Sequence, residues 1–140
     1  MPYCAVQQRH SYLRPRPGAE VSPNATVTAD DDLFDLCASE NVGLLGYSAL
    51  LGGAFTREDR PVPDAYRGPD SDARLAVLRA VAADHGATPN QVALAWMMGS
   101  TPAVVPLVAA SSEAQLAELV AAADITLDGA ARARLDAAGA

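Results

Sequence analysis

The sequence predicts an α/β fold of about three parallel strands with flanking helices. Three observations carry this expectation. A fully apolar run, VVPLV (Val104–Val108), passes directly into Ala109, Ala110, Ser111 and Ser112 before a helical pattern begins. The same passage from strand to loop occurs earlier, in GLLGYSAL (Gly43–Leu50). Strand-like and helix-like segments also alternate along the chain, a pattern that implies a parallel sheet with right-handed crossovers. A buried strand that delivers small residues and hydroxyls to a helix start builds an anion site, because free N–H groups and the positive end of the helix dipole meet there. Two such units in one chain point to a phosphorylated ligand.

Each element has its own local warrant. The start, Tyr3–Gln7, is short, apolar and β-prone. The segment RHSYLRPRPGAEVSP follows, where Pro15, Pro17, Pro23 and Gly18 forbid regular structure. Thr28 or Asp30 can cap a helix with Leu33, Phe34, Leu36 and Cys37 on one face, closed by Asn41. Val42–Ser48 reads as a buried strand. The long polar stretch GGAFTREDRPVPDAYRGPD exceeds the ordinary connection of about 4–6 residues, and such loops are functional or disordered. Asp72–His85 is an amphipathic helix with Leu75, Val77, Leu78 and Val81 inward and Gly86 as its stop. Thr88 fits an N-cap, Pro89 the first helical position, and Gln91 completes a capping box. The helix they open, VALAWMMGS, is apolar almost all round and is expected to be buried, Trp96 included. The Val104–Val108 strand, a helix from Ser112 to Ala123 and a last helix from Asp128 complete the order.

Composition narrows the function classes. With 140 residues, half of them hydrophobic and 5% aromatic, the chain suits one helix-rich, tightly packed domain over residues 1–140. A net charge of −7 lacks the footprint of a nucleic-acid binder. All ten basic residues are Arg, so lysine-dependent chemistry is excluded within the chain. Cys4 and Cys37 lack CxxC spacing and read as reduced thiols. MPYCAVQQRH has neither a basic n-region nor an apolar h-region, and no apolar run approaches the roughly 20 residues of a membrane helix. A cytoplasmic protein without nucleic-acid or membrane partners is expected.

The segments AVQQRHSYLR, GLLGYSALLGG, RLAVLRAVAADHGATPNQVALAWMM and VVPLVAASSEAQLAE, in this order and spacing, resemble the C-terminal part of an aldo-keto reductase. The resemblance covers about Ala5 to Ala138 and implies strands six to eight of a (β/α)8 barrel, hence a partial TIM barrel. It implies a nicotinamide cofactor, NADP or NAD. Gln7 would bond the nicotinamide carboxamide and Tyr47 would stack on the nicotinamide ring. Ser48 and Leu50, with the Gly52-Gly53 turn, would flank the pyrophosphate. Ala110, Ser111 and Ser112 would cradle the adenosine 2′-phosphate or ribose, with Gln115 and Glu118 reaching the adenosine side. The chain departs from the family pattern in several places. No Lys or Arg occurs between Arg79 and Arg132, Gln115 stands where an arginine is often found, Leu119 replaces an adenine-contacting asparagine, and Ala109 replaces a glycine.

The family's catalytic Asp, Tyr, Lys and His lie on earlier strands, so the resemblance implies that no catalytic residue is present here. The expected function is therefore part of an NAD(P)-dependent oxidoreductase, the cofactor site without its catalytic half. A carbonyl substrate would come into play only once a partner chain with the N-terminal half-barrel completes the enzyme. The alternative is a non-catalytic nucleotide-binding or structural subunit that self-associates through open sheet edges. Blander readings stand beside each candidate: Tyr47 as a packed core tyrosine, Ser111 and Ser112 as helix caps, and Asp30, Asp31 and Asp32 as a solvated helix start. His10 and His85 lack metal-ligand spacing and read as structural or solvated. Tyr3, Tyr12 and Tyr66, in or near loops, have no lysine beside them to make an acid.

Overall fold

A computed structural model describes residues 3–21 and 27–139; Pro23 of the irregular segment lies outside them. Its three strands are β1 (Ala5–Arg9), β2 (Gly43–Tyr47) and β3 (Val104–Pro106), all parallel, in the order β1-β2-β3. Gln7 pairs with Leu45, Arg9 with Tyr47, and Leu44 with Val104. The expectation of three parallel strands with flanking helices is met. β3 is shorter than the apolar run Val104–Val108. Pro106 has no N–H to donate, and after Leu107 N–H bonds Gly46 O (2.8 Å) the partner strand has turned away at Ser48, where φ is 57°.

The helices are α1 (Asp31–Glu40), α2 (Pro69–Asp84), α3 (Pro89–Met98), α4 (Glu113–Ala121) and α5 (Gly129–Ala137). Asp30, not Thr28, caps α1 by accepting from Leu33 N–H at 3.0 Å, while Thr28 bridges to Arg9 beside β1. Cys37 is buried on this helix with Leu33 and Phe34 against the same core, but Leu36 falls on the flank and is 54% exposed. α2 begins three residues ahead of the expected Asp72, because Pro69 occupies its first turn with Asp70 and Asp72 complementing the dipole. The capping box of α3 forms as expected: Thr88 Oγ1 accepts from Gln91 N–H (3.2 Å) and Gln91 Oε1 accepts from Thr88 N–H (3.0 Å). α4 gives way to a 3-10 turn, Ala122–Asp124, where a single helix to Ala123 was expected.

Two cores hold these elements together. One face of the sheet, through Leu44 and Val104, packs on Leu94 and Met97 of α3 and Leu119 of α4. The approach is close: a Cβ at Gly46 would meet Met97 Cε at 2.8 Å and Val104 Cγ1 at 2.9 Å. The second core joins Tyr12, Leu13, Phe55 and Tyr66 to Leu75, Leu78 and Val81 of α2, Val92 of α3 and Leu135 of α5. The long Gly52–Ser71 segment is thus an ordered part of the core, with Phe55 and Tyr66 as its anchors and a 3-10 turn at Asp64–Tyr66. Trp96 touches both cores while remaining partly exposed; its Nε1–H donates to Asp136 Oδ1 at 2.6 Å. Arg132 of α5 reaches back and donates to Trp96 O (2.6 Å), satisfying a carbonyl near the end of α3.

Side chains alternate across a strand, so Gln7, Arg9, Leu45, Tyr47 and Val105 share the other face of the sheet. Val105 is 57% exposed there.

Candidate functional site

Parallel strands point their carboxyl ends at one rim, where ligands of α/β proteins bind. Here the exits of β2 and β3 face each other across a cleft of about 540 Å³. One wall is Ser48–Leu50 with Gly52, Gly53, Thr56 and Arg57; the other is Leu107–Ser111 with Gln115, Glu118 and Leu119 of α4. Asn90, in the first turn of α3, also lines the cleft. The first wall is wound tightly, with φ of 57° at Ser48, 49° at Leu51, 72° at Gly52 and 96° at Gly53. Left-handed backbone at Ser48 and Leu51 costs about 1 kcal/mol each, and strain of this kind collects at functional sites.

The second wall is the start of α4. Ser112 Oγ accepts from Gln115 N–H at 3.2 Å, and Gln115 Oε1 accepts from Ser111 N–H (2.8 Å) and Ser111 Oγ–H (2.9 Å). These residues therefore hold one another in place at the positive end of the helix. Behind them Glu118 is tied to the capping box of α3. Its Oε1 accepts from Thr88 Oγ1–H (2.6 Å) and Asn90 Nδ2–H (3.4 Å), and its backbone carbonyl accepts from Gln91 Nε2–H (3.0 Å). Asn90 Nδ2 also donates to Thr56 Oγ1 (3.1 Å), so this one amide links both walls.

Of the residues expected at a site, Ser48, Leu50, Gly52, Ala110, Ser111, Gln115 and Glu118 line this single cleft. Ser112 stands beside it as the N-cap of α4. Gln7 and Tyr47 lie together on the partly covered face of the sheet, two residues apart in register, with Gln7 exposed and Tyr47 half-buried, and the Arg9 guanidinium carbon sits 5.4 Å from the Tyr47 ring centroid. Sequence reasoning missed Asn90, Thr56 and Arg57. Arg57 and Glu118 are the only charged residues among the described ones that line the cleft. Arg57 comes from the long loop, far in sequence from α4, and is paired with Asp59 (Nε–Oδ1 2.9 Å).

The loop tyrosines Tyr12 and Tyr66 are buried; Tyr12 O–H donates to Leu135 O at 3.0 Å, and burial pushes its pKa up to about 12. His10 packs in an aromatic cluster, stacked on Trp96 at 5.8 Å and edge-on to Phe34 at 5.2 Å. Burial, helped by Arg14, lowers its pKa to about 4, so its ring is neutral at pH 7. His85 sits at the carboxyl end of α2, its Nδ1 3.0 Å from Val81 O.

The sequence profile of the Aldo/keto reductase family matches residues 5–140. The chain belongs to the aldo/keto reductase family. Uncharacterised oxidoreductases of Mycobacterium bovis and of two Mycobacterium tuberculosis strains are 42% identical to it over 114 residues, covering 73% of this chain and 35% of each relative. A thermostable aldo-keto reductase crystallised with the inhibitor epalrestat superposes with a TM-score of 0.59 at 28% identity, over 76% of this chain and 33% of that one. The chain therefore spans about a third of the length of these relatives, and its three parallel strands and flanking helices are a fragment of the family's barrel.

The family generally uses NAD(P), and the cleft's chemistry fits the adenosine and phosphate end of such a dinucleotide. The α4 start and Arg57 suit phosphate, Leu107, Val108 and Leu119 suit a flat apolar ring, and one buried polar atom, Asn90 Oδ1, has no partner among the described residues.

Proposed function

We propose that this chain supplies the nicotinamide-dinucleotide site of an aldo/keto reductase, with the acid–base residues contributed by the remainder of a barrel that this chain alone does not form. The observation that carries the reading is the cleft itself: seven residues expected at a cofactor site from their place in the family pattern line one cavity at the carboxyl rim of the sheet. The bound dinucleotide supplies a hydride to a carbonyl carbon or takes one from an alcohol. The chain's own residues bind and orient. The α4 start holds phosphate, joined by Ser111 once its N–H and Oγ–H are released from Gln115 Oε1; Ser48, Leu50 and Gly52 shape the pyrophosphate wall, and Gln7 and Tyr47 on the adjoining sheet face receive the nicotinamide.

Arg57, paired with Asp59, stands on the pyrophosphate wall and would meet a phosphate that NADP and NAD share. Titration of the purified chain with NADPH and NADH, followed by Trp96 and nicotinamide fluorescence, tests the reading. Saturable binding of both is expected, with Arg57→Met reducing NADPH and NADH affinity alike, by several-fold. No binding of either at millimolar concentration overturns it. The chain holds no lysine, the residue that depresses the pKa of the family's acid tyrosine, so no carbonyl reduction is expected from it alone. The partly covered sheet face, with Val105 of the edge strand β3 57% exposed, supports the second reading, a non-catalytic binding subunit that docks on another chain or on its own copy.

A further inference from the structure

The second face of the sheet carries one cation. Among the residues that share it, Gln7, Arg9, Leu45, Tyr47 and Val105, only Arg9 bears a fixed positive charge. Arg9 ends β1 and pairs in register with Tyr47, the end of β2. Its guanidinium carbon lies over the Tyr47 ring, 5.4 Å from the centroid, within cation–π range. Tyr66, buried in the second core, senses the same charge: burial raises its pKa, and Arg9 opposes the rise.

No carboxylate neutralises this guanidinium among the described residues, where the ion pairs are Arg57–Asp59, Arg67–Asp64 and Arg134–Asp84. Asp30 and Asp31 line a hollow beside Arg9, but both are exposed, and Asp30 is turned to the cap of α1. Arg9 Nε is buried with no partner among the described residues. One edge of the cation is thus withdrawn from water, and its field is screened less than that of a surface arginine.

We propose that Arg9 makes this face discriminate the redox state of the dinucleotide, holding the reduced form more tightly than the oxidised one. This rests on the reading of Gln7 and Tyr47 as the residues that receive the nicotinamide. The oxidised nicotinamide ring is a pyridinium cation and the reduced ring is neutral, while the rest of the molecule is the same in both. Arg9 stands one strand repeat, roughly 7 Å, beyond Gln7 and directly beside Tyr47. A ring held by both residues therefore lies within reach of the guanidinium. Like charges at that range, partly shielded from water, are worth about tenfold in affinity.

The test measures equilibrium binding of NADH and of oxidised NAD by titration calorimetry. The unaltered chain is expected to bind NADH about tenfold more tightly. Arg9→Gln is expected to abolish the preference by tightening oxidised NAD, which loss of a merely structural side chain would not do. Arg9→Lys, which keeps the charge, is expected to retain it. Thermal melts establish that the variants are folded, and the unaltered chain's own preference is a test that needs no variant. Equal binding of the two forms by the unaltered chain overturns the role of Arg9 while the cofactor reading stands. A preference unchanged in folded Arg9→Gln overturns it equally, whether both forms weaken together or both tighten together. Binding of neither form overturns the cofactor reading and this inference with it.

Discussion

His10 shows how a residue's chemistry is set by what packs on it. It lies in an arginine-rich segment near a loop, yet the ring lies against Trp96 and Phe34, where burial and Arg14 lower its pKa to about 4. The unfolded chain restores an ordinary value of about 6.5. Between these two values the unfolded state binds a proton that the folded state refuses. Stability is therefore expected to fall as pH drops from 6.5 to 4 and to level off below, by up to roughly 3 kcal/mol from this residue. Urea midpoints measured across that range check it; His10→Phe should remove this component of the slope. Asn90 makes the complementary point. Its helix-start position was legible from Thr88-Pro89, but its orphaned oxygen was not, since satisfaction depends on Thr56 and Glu118, which lie 34 and 28 positions away.

Among the elements, α3 is the member to which everything else is keyed. Its capping box is local chemistry and could be read directly from Thr88 and Gln91. The structure adds that Thr88 also donates to Glu118, so the cap stabilises the cleft wall as well as the helix. Thr88→Ala is expected to cost about 1–2 kcal/mol in chemical denaturation and to loosen dinucleotide binding at the same time. β2 lies so close to α3 that Gly46 leaves no room for a side chain, with Val104 Cγ1 on the neighbouring strand unable to swing aside freely. Gly46→Val is expected to destabilise by about 1–3 kcal/mol through overpacking, read as a lowered melting temperature. Element ends were less legible than element existence. The early start of α2 at Pro69 and the short β3 both follow from proline, once its first-turn role and its missing N–H are weighed against the apolar pattern.

For the whole molecule the decisive feature, among the described residues, is a sheet whose second face is only partly covered: Gln7 and Val105 are exposed there while Arg9, Leu45 and Tyr47 are half-buried. In a barrel the other face is interior and packed by side chains from further strands. Here Val105 is 57% exposed, with Leu107 at 37% and Val108 at 43% along the same stretch. In the absence of other strands the chain is expected to self-associate, visible as a sedimentation coefficient that rises with concentration. Val105→Glu should suppress the rise if this face carries the association.

The sequence by itself determined the α/β class, the order of three strands and five helices, the cap at Thr88, the helix starts near Ser112 and Asp128, and the family. All of these rest on periodicity, capping and ordered motifs, which act over a few residues. Only the tertiary structure decided which residues meet. It brought Thr56 and Arg57 from the long loop and Asn90 from α3 into one cleft with Ser111 and Glu118, and it set Gln7 and Tyr47 on the adjoining face. The physical reason is that these meetings depend on how β2, β3 and α3 pack across two cores, and packing joins residues whose separation along the chain carries no local signal.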